Sequence, residues 1–301
     1  MSLLATGTIG IDTVETPHGV ARDVLGGSAA YFALGASLLT PVRLVGVVGE
    51  DFPTDFLQVF KDRDIDLSGL ETRAGAKTFR WHGKYVGDMS SAESLRTDLN
   101  VVGEAPPRIP DHFTDSGFVF LANTHPAIQR AFIAQLKSPK LIVCDTMNLW
   151  INGHRDELIK TLGEVDGIIL NDGEARLLSG KDDLVTAGME VLKMGPIFVV
   201  IKKGEHGALL VSADEAYTLP AYPTRQVKDP TGAGDSFAAG MMGHLAAIDR
   251  FDGPALKSAM ARGACIASIT IEDFSMRSIS AATPAEVEKR LARYKSMLSF
   301  D

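Results

Sequence analysis

Short, continuously apolar runs recur along most of the chain and alternate with segments that have helical periodicity. Strands that are apolar at every position are typical of sheets covered on both faces, and helices are the crossovers that parallel strands require. The apolar runs are residues 42–48, 118–121, 141–144, 167–170 and 197–201. We therefore predict an α/β fold with a doubly wound, mostly parallel sheet and helices on both of its faces.

Two segments, residues 12–24 and 77–100, depart from this rhythm and read as short strands with polar and apolar positions mixed. In residues 78–85 the alternation has the period of a strand and places the aromatic side chains on one side. The pattern favours an ordinary edge hairpin packed on the core, although a small sheet that projects from the body also fits. The sequence has no internal repeat or long linker, so we predict one domain over residues 1–301.

Composition narrows the class of protein. The formal net charge is −8 at pH 7, whereas surfaces that bind nucleic-acid backbones are usually basic, so we expect no nucleic-acid partner. No apolar run approaches the roughly 18 residues of a membrane helix, and the first residues do not resemble a signal peptide. The two cysteines, Cys144 and Cys265, lie in apolar runs and offer no disulfide framework. We expect a cytoplasmic protein with no membrane partner.

The most informative segment is residues 228–237, with the sequence Lys-Asp-Pro-Thr-Gly-Ala-Gly-Asp-Ser-Phe, followed by a helical pattern. Gly232 and Gly234 let the backbone approach a ligand closely, and the N–H groups at the start of a helix bind anions. Asp235 would lie in the first turn, where it could accept the proton of an attacking hydroxyl. A simple helix cap is the alternative, but the seven-residue pattern from 229 to 235 is much less probable by chance than a lone Gly-x-Gly-Asp.

This pattern resembles the C-terminal signature of the ribokinase-like (PfkB) family of carbohydrate and nucleoside kinases. Four further motifs of that family occur in the same order and at comparable spacing, over nearly the whole chain. They are Asp12, the loop Gly26-Gly27-Ser28 before a helix, the pair Asn171 and Glu174, and the turn with Lys203, Gly204 and Gly207. The resemblance implies a ribokinase-like fold with a small β-sheet lid formed by about residues 12–24 and 77–100.

The resemblance also implies an ATP-dependent kinase that phosphorylates a hydroxyl of a sugar or nucleoside. Phosphoryl transfer would involve Gly232, Ala233, Gly234 and, as catalytic base, Asp235. The acceptor would contact Asp12, Gly26, Gly27 and Ser28, and Arg80 is a candidate to grip a phosphate or carboxylate on it. ATP would lie near Asn171, Lys203, Gly204, Gly207 and Thr231. Glu174 would help to organise Mg²⁺, and Asp229 with Thr231 would belong to a monovalent-cation (K⁺) site.

Each motif also has a purely structural explanation. Asp12 could stabilise a turn, and Asn171 with Glu174 could form the capping box of a helix. The segment from Lys203 to Gly207 could be a plain hairpin turn. The Gly26-Gly27 pair could serve tight helix packing. The joint order of the motifs favours the kinase interpretation.

The acceptor is less well defined by the sequence. Tyr31 stands where the family often has a substrate-binding Asn, and Pro230 stands where many relatives have Thr. Phe79 and Trp81 could stack on a nucleobase, or they could face the lid core or a partner subunit. The apolar side of the 78–85 strand permits a homodimer through the lid.

Other functions are less consistent with the sequence. A dinucleotide-dependent oxidoreductase needs Gly-x-Gly-x-x-Gly after the first strand, and the chain offers only Gly7-Thr-Ile-Gly10. A P-loop kinase needs a Gly-x-x-x-x-Gly-Lys-Ser/Thr motif, which is absent from the sequence. A catalytically silent nucleotide- or sugar-binding sensor on the same fold stays open as the alternative.

Overall fold

The computed structural model describes residues 2–299 and has thirteen strands in this part of the chain. In chain order they are β1 (Leu3–Thr6), β2 (Gly10–Thr16), β3 (Gly19–Gly26), β4 (Val42–Gly49), β5 (Asp66–Arg73), β6 (Phe79–Tyr85), β7 (Ala92–Asp98), β8 (Phe118–Leu121), β9 (Leu141–Asp145), β10 (Gly167–Asn171), β11 (Phe198–Lys202), β12 (Ala208–Ser212) and β13 (Ala216–Leu219). The five apolar runs all form strands, with bounds within one residue of those predicted.

The helices of the described residues lie mainly between the strands of the larger sheet and after the last strand. They are α1 (Ser28–Ser37), α2 (Thr54–Lys61), α3 (Pro126–Ile133), α4 (Asn148–Gly153), α5 (Arg155–Leu162), α6 (Asp172–Ser179), α7 (Leu184–Leu192), α8 (Ala233–Ile248), α9 (Gly253–Thr270), α10 (Arg277–Ala281) and α11 (Pro284–Leu298). None of these helices is long and apolar enough to cross a membrane.

The larger sheet has nine strands in the order β13-β12-β11-β10-β9-β8-β1-β4-β5. The strands from β11 to β5 are parallel to their neighbours, and β12 and β13 add an antiparallel edge. Alternate residues of each strand face opposite sides: Leu3 belongs to the core beneath α1, α8 and α9, and Leu4 to the core beneath α3, α5 and α7. The predicted doubly wound α/β fold is confirmed.

A second, four-stranded sheet has the order β3-β2-β6-β7. It consists of two antiparallel hairpins joined by the parallel pairing of β2 with β6, from Gly10 opposite Phe79 to Glu15 opposite Lys84. The edge-hairpin arrangement favoured by the local pattern is therefore wrong, because the pairing that makes this sheet joins segments about 70 residues apart.

Candidate active site

The carboxyl ends of β1, β8, β9, β10 and β11 meet at one edge of the large sheet, which is where ligands bind in open α/β sheets. A cavity of about 350 Å³ lies there, lined by residues of the large sheet, of α8 and of the smaller sheet. Its ionisable lining residues include Asp12 from β2, Lys202 from β11 and Asp235 from α8. The fold therefore brings residues from the first and last thirds of the chain to one site.

Asp235 lies in the first turn of α8, immediately after the glycine turn. Gly232 has φ +74°, in the left-handed region, and a Cβ atom added there would lie 2.3 Å from the ring of Tyr31. Gly232 is also the N-cap of α8 and has no side chain that could cap the helix. Gly232, Gly234 and Asp235 all line the cavity, so the start of α8 points into it.

The carboxyl group of Asp235 lies close to another acid, Asp145, and to the ammonium of Lys202. The pKa of Asp235 is raised to about 7, mainly by burial and also by the nearby carboxylate of Asp145, while the ammonium of Lys202 acts in the opposite direction. Lys202 Nζ lies 3.5 Å from Asp145 Oδ2, and a Cβ atom added to Gly234 would be 2.8 Å from that ammonium. Lys202 therefore places a positive charge directly at the glycine turn.

Burial works against the charged form of Lys202, but the carboxylates of Asp145, Glu174 and Asp235 outweigh it and raise the pKa of this lysine. Burial likewise raises the pKa of Glu174 to about 7, while Lys202 acts to lower it. The cluster thus has three acids and one ammonium within the cavity lining. Carboxylate oxygens are the ligands that Mg²⁺ prefers, so the chemistry of this cluster fits a divalent cation that accompanies phosphates.

Lys202 and Asp145 were not among the predicted site residues, which included Lys203 instead. The backbone N–H of Lys203 donates to Gly207 O in the turn after β11, at 2.7 Å, and its side chain is outside the cavity lining. Lys202 is the last residue of β11 and shares a side with Val200, whose side chain packs in the core beneath α8. Side chains two residues apart in a strand point to the same face, so the buried position of Val200 could have indicated which way Lys202 points.

Asp12 lies at the other end of the cavity. Its side chain is 4% exposed, and its Oδ1 atom has no hydrogen-bond partner within residues 2–299. The pKa of Asp12 is raised to about 7, mainly by burial and also by the charge of Asp229, while a backbone hydrogen bond from Gly27 acts to lower it. A Cβ atom added to Gly26 would lie 2.0 Å from the Asp12 carboxyl group, so Gly26 leaves the space that this side chain occupies.

Gly27 and Ser28 also line the cavity. Gly27 has φ +96° and is the N-cap of α1. The hydroxyl of Ser28 lies 2.9 Å from Thr8 Oγ1 and donates to Asn123 O at 3.2 Å. The loop before α1 is thereby joined to the ends of β1 and β8.

Arg80 lies on the side of β6 opposite to Phe79 and Trp81. Phe79 and Trp81 line the cavity, whereas the Arg80 guanidinium pairs with Asp23 at 2.9 Å and with Asp51 at 3.6 Å. The structure does not bring Arg80 to the acceptor end of the site, because strand alternation turns it away.

Asn171 and Glu174 form the capping box of α6. Asn171 Oδ1 accepts from the backbone N–H of Glu174 at 2.8 Å, and Glu174 Oε2 accepts from that of Asn171 at 2.7 Å. Glu174 lines the cavity and Asn171 does not. Gly204 and Gly207, with φ +54° and +87°, lie in the turn between the antiparallel strands β11 and β12, outside the cavity lining.

Asp229 is buried beside the glycine turn. Its Oδ1 accepts from Thr231 N at 2.9 Å and its Oδ2 from Ser275 N at 2.8 Å, while Thr231 Oγ1 donates to Tyr85 Oη at 3.3 Å. Within residues 2–299 no group of three or more acidic, histidine or cysteine side chains is placed to hold a metal. The monovalent-cation site at Asp229 stays a prediction.

An acid in the first turn of a glycine-led helix, with an ammonium at the same turn, suits the transfer of a phosphoryl group. The model of the pfkB family of carbohydrate kinases matches residues 12–283, and the chain belongs to this family. It is therefore a phosphotransferase that uses a hydroxyl group as acceptor. The predicted recognition and enzyme class are confirmed.

Individual relatives agree with this assignment. The chain is 30% identical to a cytidine kinase of Thermococcus kodakarensis over 248 residues, which are 80% of this chain and 87% of the relative. The nucleoside kinase of Methanocaldococcus jannaschii has the same fold, with a TM-score of 0.77, 19% identity and coverage of 97% and 98% of the two chains. Aminoimidazole riboside kinase from Salmonella enterica, solved with aminoimidazole riboside and an ATP analogue, also has this fold. Its TM-score is 0.78 at 20% identity, and the match covers 97% of this chain and 100% of that chain.

Proposed function

We propose that this protein transfers the γ-phosphoryl group of ATP to a hydroxyl of a sugar or nucleoside, with Asp235 as the catalytic base. The observation that carries the proposal is the place of Asp235: it is half-buried in the first turn of α8 and lines the same cavity as Asp12 and Lys202. A pKa of about 7 suits a base that must take a proton near neutral pH.

One end of the cavity would bind the acceptor, and the other would carry out phosphoryl transfer. Asp12, with one unpartnered oxygen, holds a hydroxyl of the acceptor together with the Gly27-Ser28 loop. Asp235 takes the proton from the attacking oxygen. The ammonium of Lys202 and the first N–H groups of α8, around Gly234, stabilise the charge on the transferred group.

Mg²⁺ would be held by the ATP phosphates with help from the carboxylates of Glu174 and Asp145, and it would neutralise phosphate charge. The cluster offers acidic oxygens but no complete protein cage within the described residues, which fits a metal that arrives with its nucleotide. The rest of the nucleotide would lie toward Asn171, Gly204 and Gly207, outside the cavity lined by the smaller sheet.

The smaller sheet would act as a lid. Phe79 and Trp81 present their rings to the cavity from β6, and Tyr85 of the same strand is hydrogen-bonded to the glycine turn through Thr231. Closure of such a sheet excludes water, which would otherwise compete as phosphoryl acceptor. The lid also offers an apolar surface for a homodimer, because Val86 and Leu95 are 59% and 45% exposed.

The proposal is tested by ADP release with Mg-ATP and a panel of sugars, sugar phosphates and nucleosides, with Asp235→Asn measured beside the wild type. We expect one acceptor class to give turnover that Asp235→Asn abolishes, while Asp214→Asn, the same change at an exposed loop position, leaves it unchanged. ATP binding without turnover on any acceptor would contradict the proposal and favour a silent sensor.

A further inference from the structure

The cavity that would hold the acceptor is poor in positive charge. Within the described residues its charged lining side chains are Lys202 and the four acids Asp12, Asp145, Glu174 and Asp235. Lys202 is already paired with Asp145 and lies against Gly234 at the phosphoryl end. A phosphate or carboxylate on the acceptor would therefore meet carboxylates without a matching cation. The acceptor is expected to be uncharged.

The cavity also has aromatic and apolar side chains on two sides. Phe79 and Trp81 line it from β6, and Trp150 with Met147 and Leu149 lines it from the segment after β9. Such surfaces bind a flat heterocycle by stacking better than they bind a hydroxyl-covered sugar ring. The flat part of the acceptor is expected between these two sets of side chains.

Asn123 stands after β8 beside Trp150, and its amide has one possible orientation. The indole Nε1 of Trp150 lies 2.8 Å from Asn123 Oδ1. An indole nitrogen only donates, so the oxygen of the amide must face it. The amide nitrogen then faces the other way, where Met147 Sδ takes one of its two hydrogens at 3.1 Å. The second hydrogen has no acceptor within residues 2–299.

A neighbouring hydroxyl is also unsatisfied. Thr146 is 4% exposed and lines the cavity, and its Oγ1 has no hydrogen-bond partner in the described residues. Buried polar atoms without partners are rare in native structures, and each one calls for an explanation such as a bound molecule or a catalytic role. Asn123 therefore offers a donor to an acceptor atom of the bound molecule, and Thr146 offers a hydroxyl that can donate or accept.

We propose that the acceptor is an uncharged nucleoside whose base carries a ring carbonyl, and that Asn123, oriented by Trp150, selects this base by donating to its carbonyl oxygen. The inference rests on the proposed kinase function and adds the acceptor class and a specificity residue to it. An amino group presented to Asn123 in place of the carbonyl would find no acceptor on the fixed amide, and this is the basis of the expected discrimination against adenosine.

The test compares kcat/KM for cytidine, uridine, inosine, adenosine, ribose and ribose 5-phosphate in the wild type and in three variants. Asn123→Asp keeps an oxygen for Trp150 and replaces the donor with an acceptor. Trp150→Phe keeps an apolar ring and removes the N–H that orients the amide. Asn152→Asp is the matched control: it makes the same Asn-to-Asp change at an exposed residue of α4 that does not line the cavity.

We expect one or more of the carbonyl-bearing nucleosides to be preferred by the wild type. Asn123→Asp should lower kcat/KM for them by about 10- to 100-fold, mainly through KM, with KM for ATP unchanged. Trp150→Phe should reduce the discrimination against adenosine, and Asn152→Asp should have no effect.

Two outcomes contradict the inference, and they are distinguishable. Turnover that depends on Asp235 but prefers adenosine, ribose or ribose 5-phosphate, or that is unchanged in Asn123→Asp, would overturn the acceptor class while the kinase function stands. Absence of Asp235-dependent turnover with all six compounds would overturn the kinase function and this inference with it.

Discussion

Three acids, Asp145, Glu174 and Asp235, surround the single ammonium of Lys202 in the cavity. Buried like charges destabilise the folded state until a cation joins them. We therefore expect these acids to destabilise the free protein at pH values where they are ionised. A stability measurement is for this reason informative about the site.

Asp235→Asn is expected to stabilise the free protein above neutral pH. The folded-state pKa of Asp235, about 7, is above its usual value of 3.8, so the folded state binds more protons than the unfolded state between these values. The free energy of unfolding therefore falls as the pH rises from about 4 to about 7, and the Asp235→Asn variant does not suffer this fall. At pH 8 the midpoint of thermal unfolding should rise by ~2 °C or more.

The exposed control Asp214→Asn should leave the unfolding midpoint unchanged at the same pH. A lower midpoint for Asp235→Asn at pH 8 would mean that the carboxylate stabilises the fold, contrary to its position among other acids.

Gly232→Ala is expected to lose both stability and turnover, since a methyl group there meets the Tyr31 ring and the backbone has φ +74°. Gly180→Ala is a matched control, with φ +68° and no atom within 4 Å of the added carbon. The control should cost ~1 kcal/mol of unfolding free energy, and Gly232→Ala about 2 kcal/mol more. Equal costs in urea unfolding would show that Tyr31 does not restrict this turn.

At the scale of elements, much could be predicted because the signals are local. Continuous apolar runs predicted the buried strands, and the glycine pattern predicted the turn before α8. Local patterns could not predict which residues of separate strands come into contact, because that depends on the order of the strands in the sheet. Lys202 meets Asp145 because β9 and β11 flank β10 and end at one edge, and Asn123 meets Trp150 because β8 and β9 are neighbours.

Tyr85 connects the smaller sheet to the glycine turn, and we expect this bond to couple the lid to phosphoryl transfer. Tyr85→Phe and Thr231→Val each remove one partner of the 3.3 Å contact. Each should lower kcat by about 3- to 10-fold, and the double variant should be no worse than the worse single variant. Additive effects on kcat would show that the two hydroxyls act independently.

At the scale of the whole molecule, the two sheets leave the exposed apolar side chains of Val86 and Leu95 on the smaller sheet. We expect the protein to form a homodimer through this sheet, measured by light scattering at working concentration. Leu95→Glu should shift the mass to that of a monomer. Val185→Glu, at an exposed apolar position on α7, should not. A monomeric wild type would contradict the expected pairing.

The account depends most on Asp235 as a base that acts in chemistry and not in binding. The direct measurement compares the Kd for Mg-ATP with kcat for the best acceptor in wild type and Asp235→Asn. We expect kcat to fall by about two to four orders of magnitude, with Kd changed by less than ~3-fold. Near-normal kcat in Asp235→Asn would contradict the central claim, since the proton would then leave the attacking hydroxyl by another route.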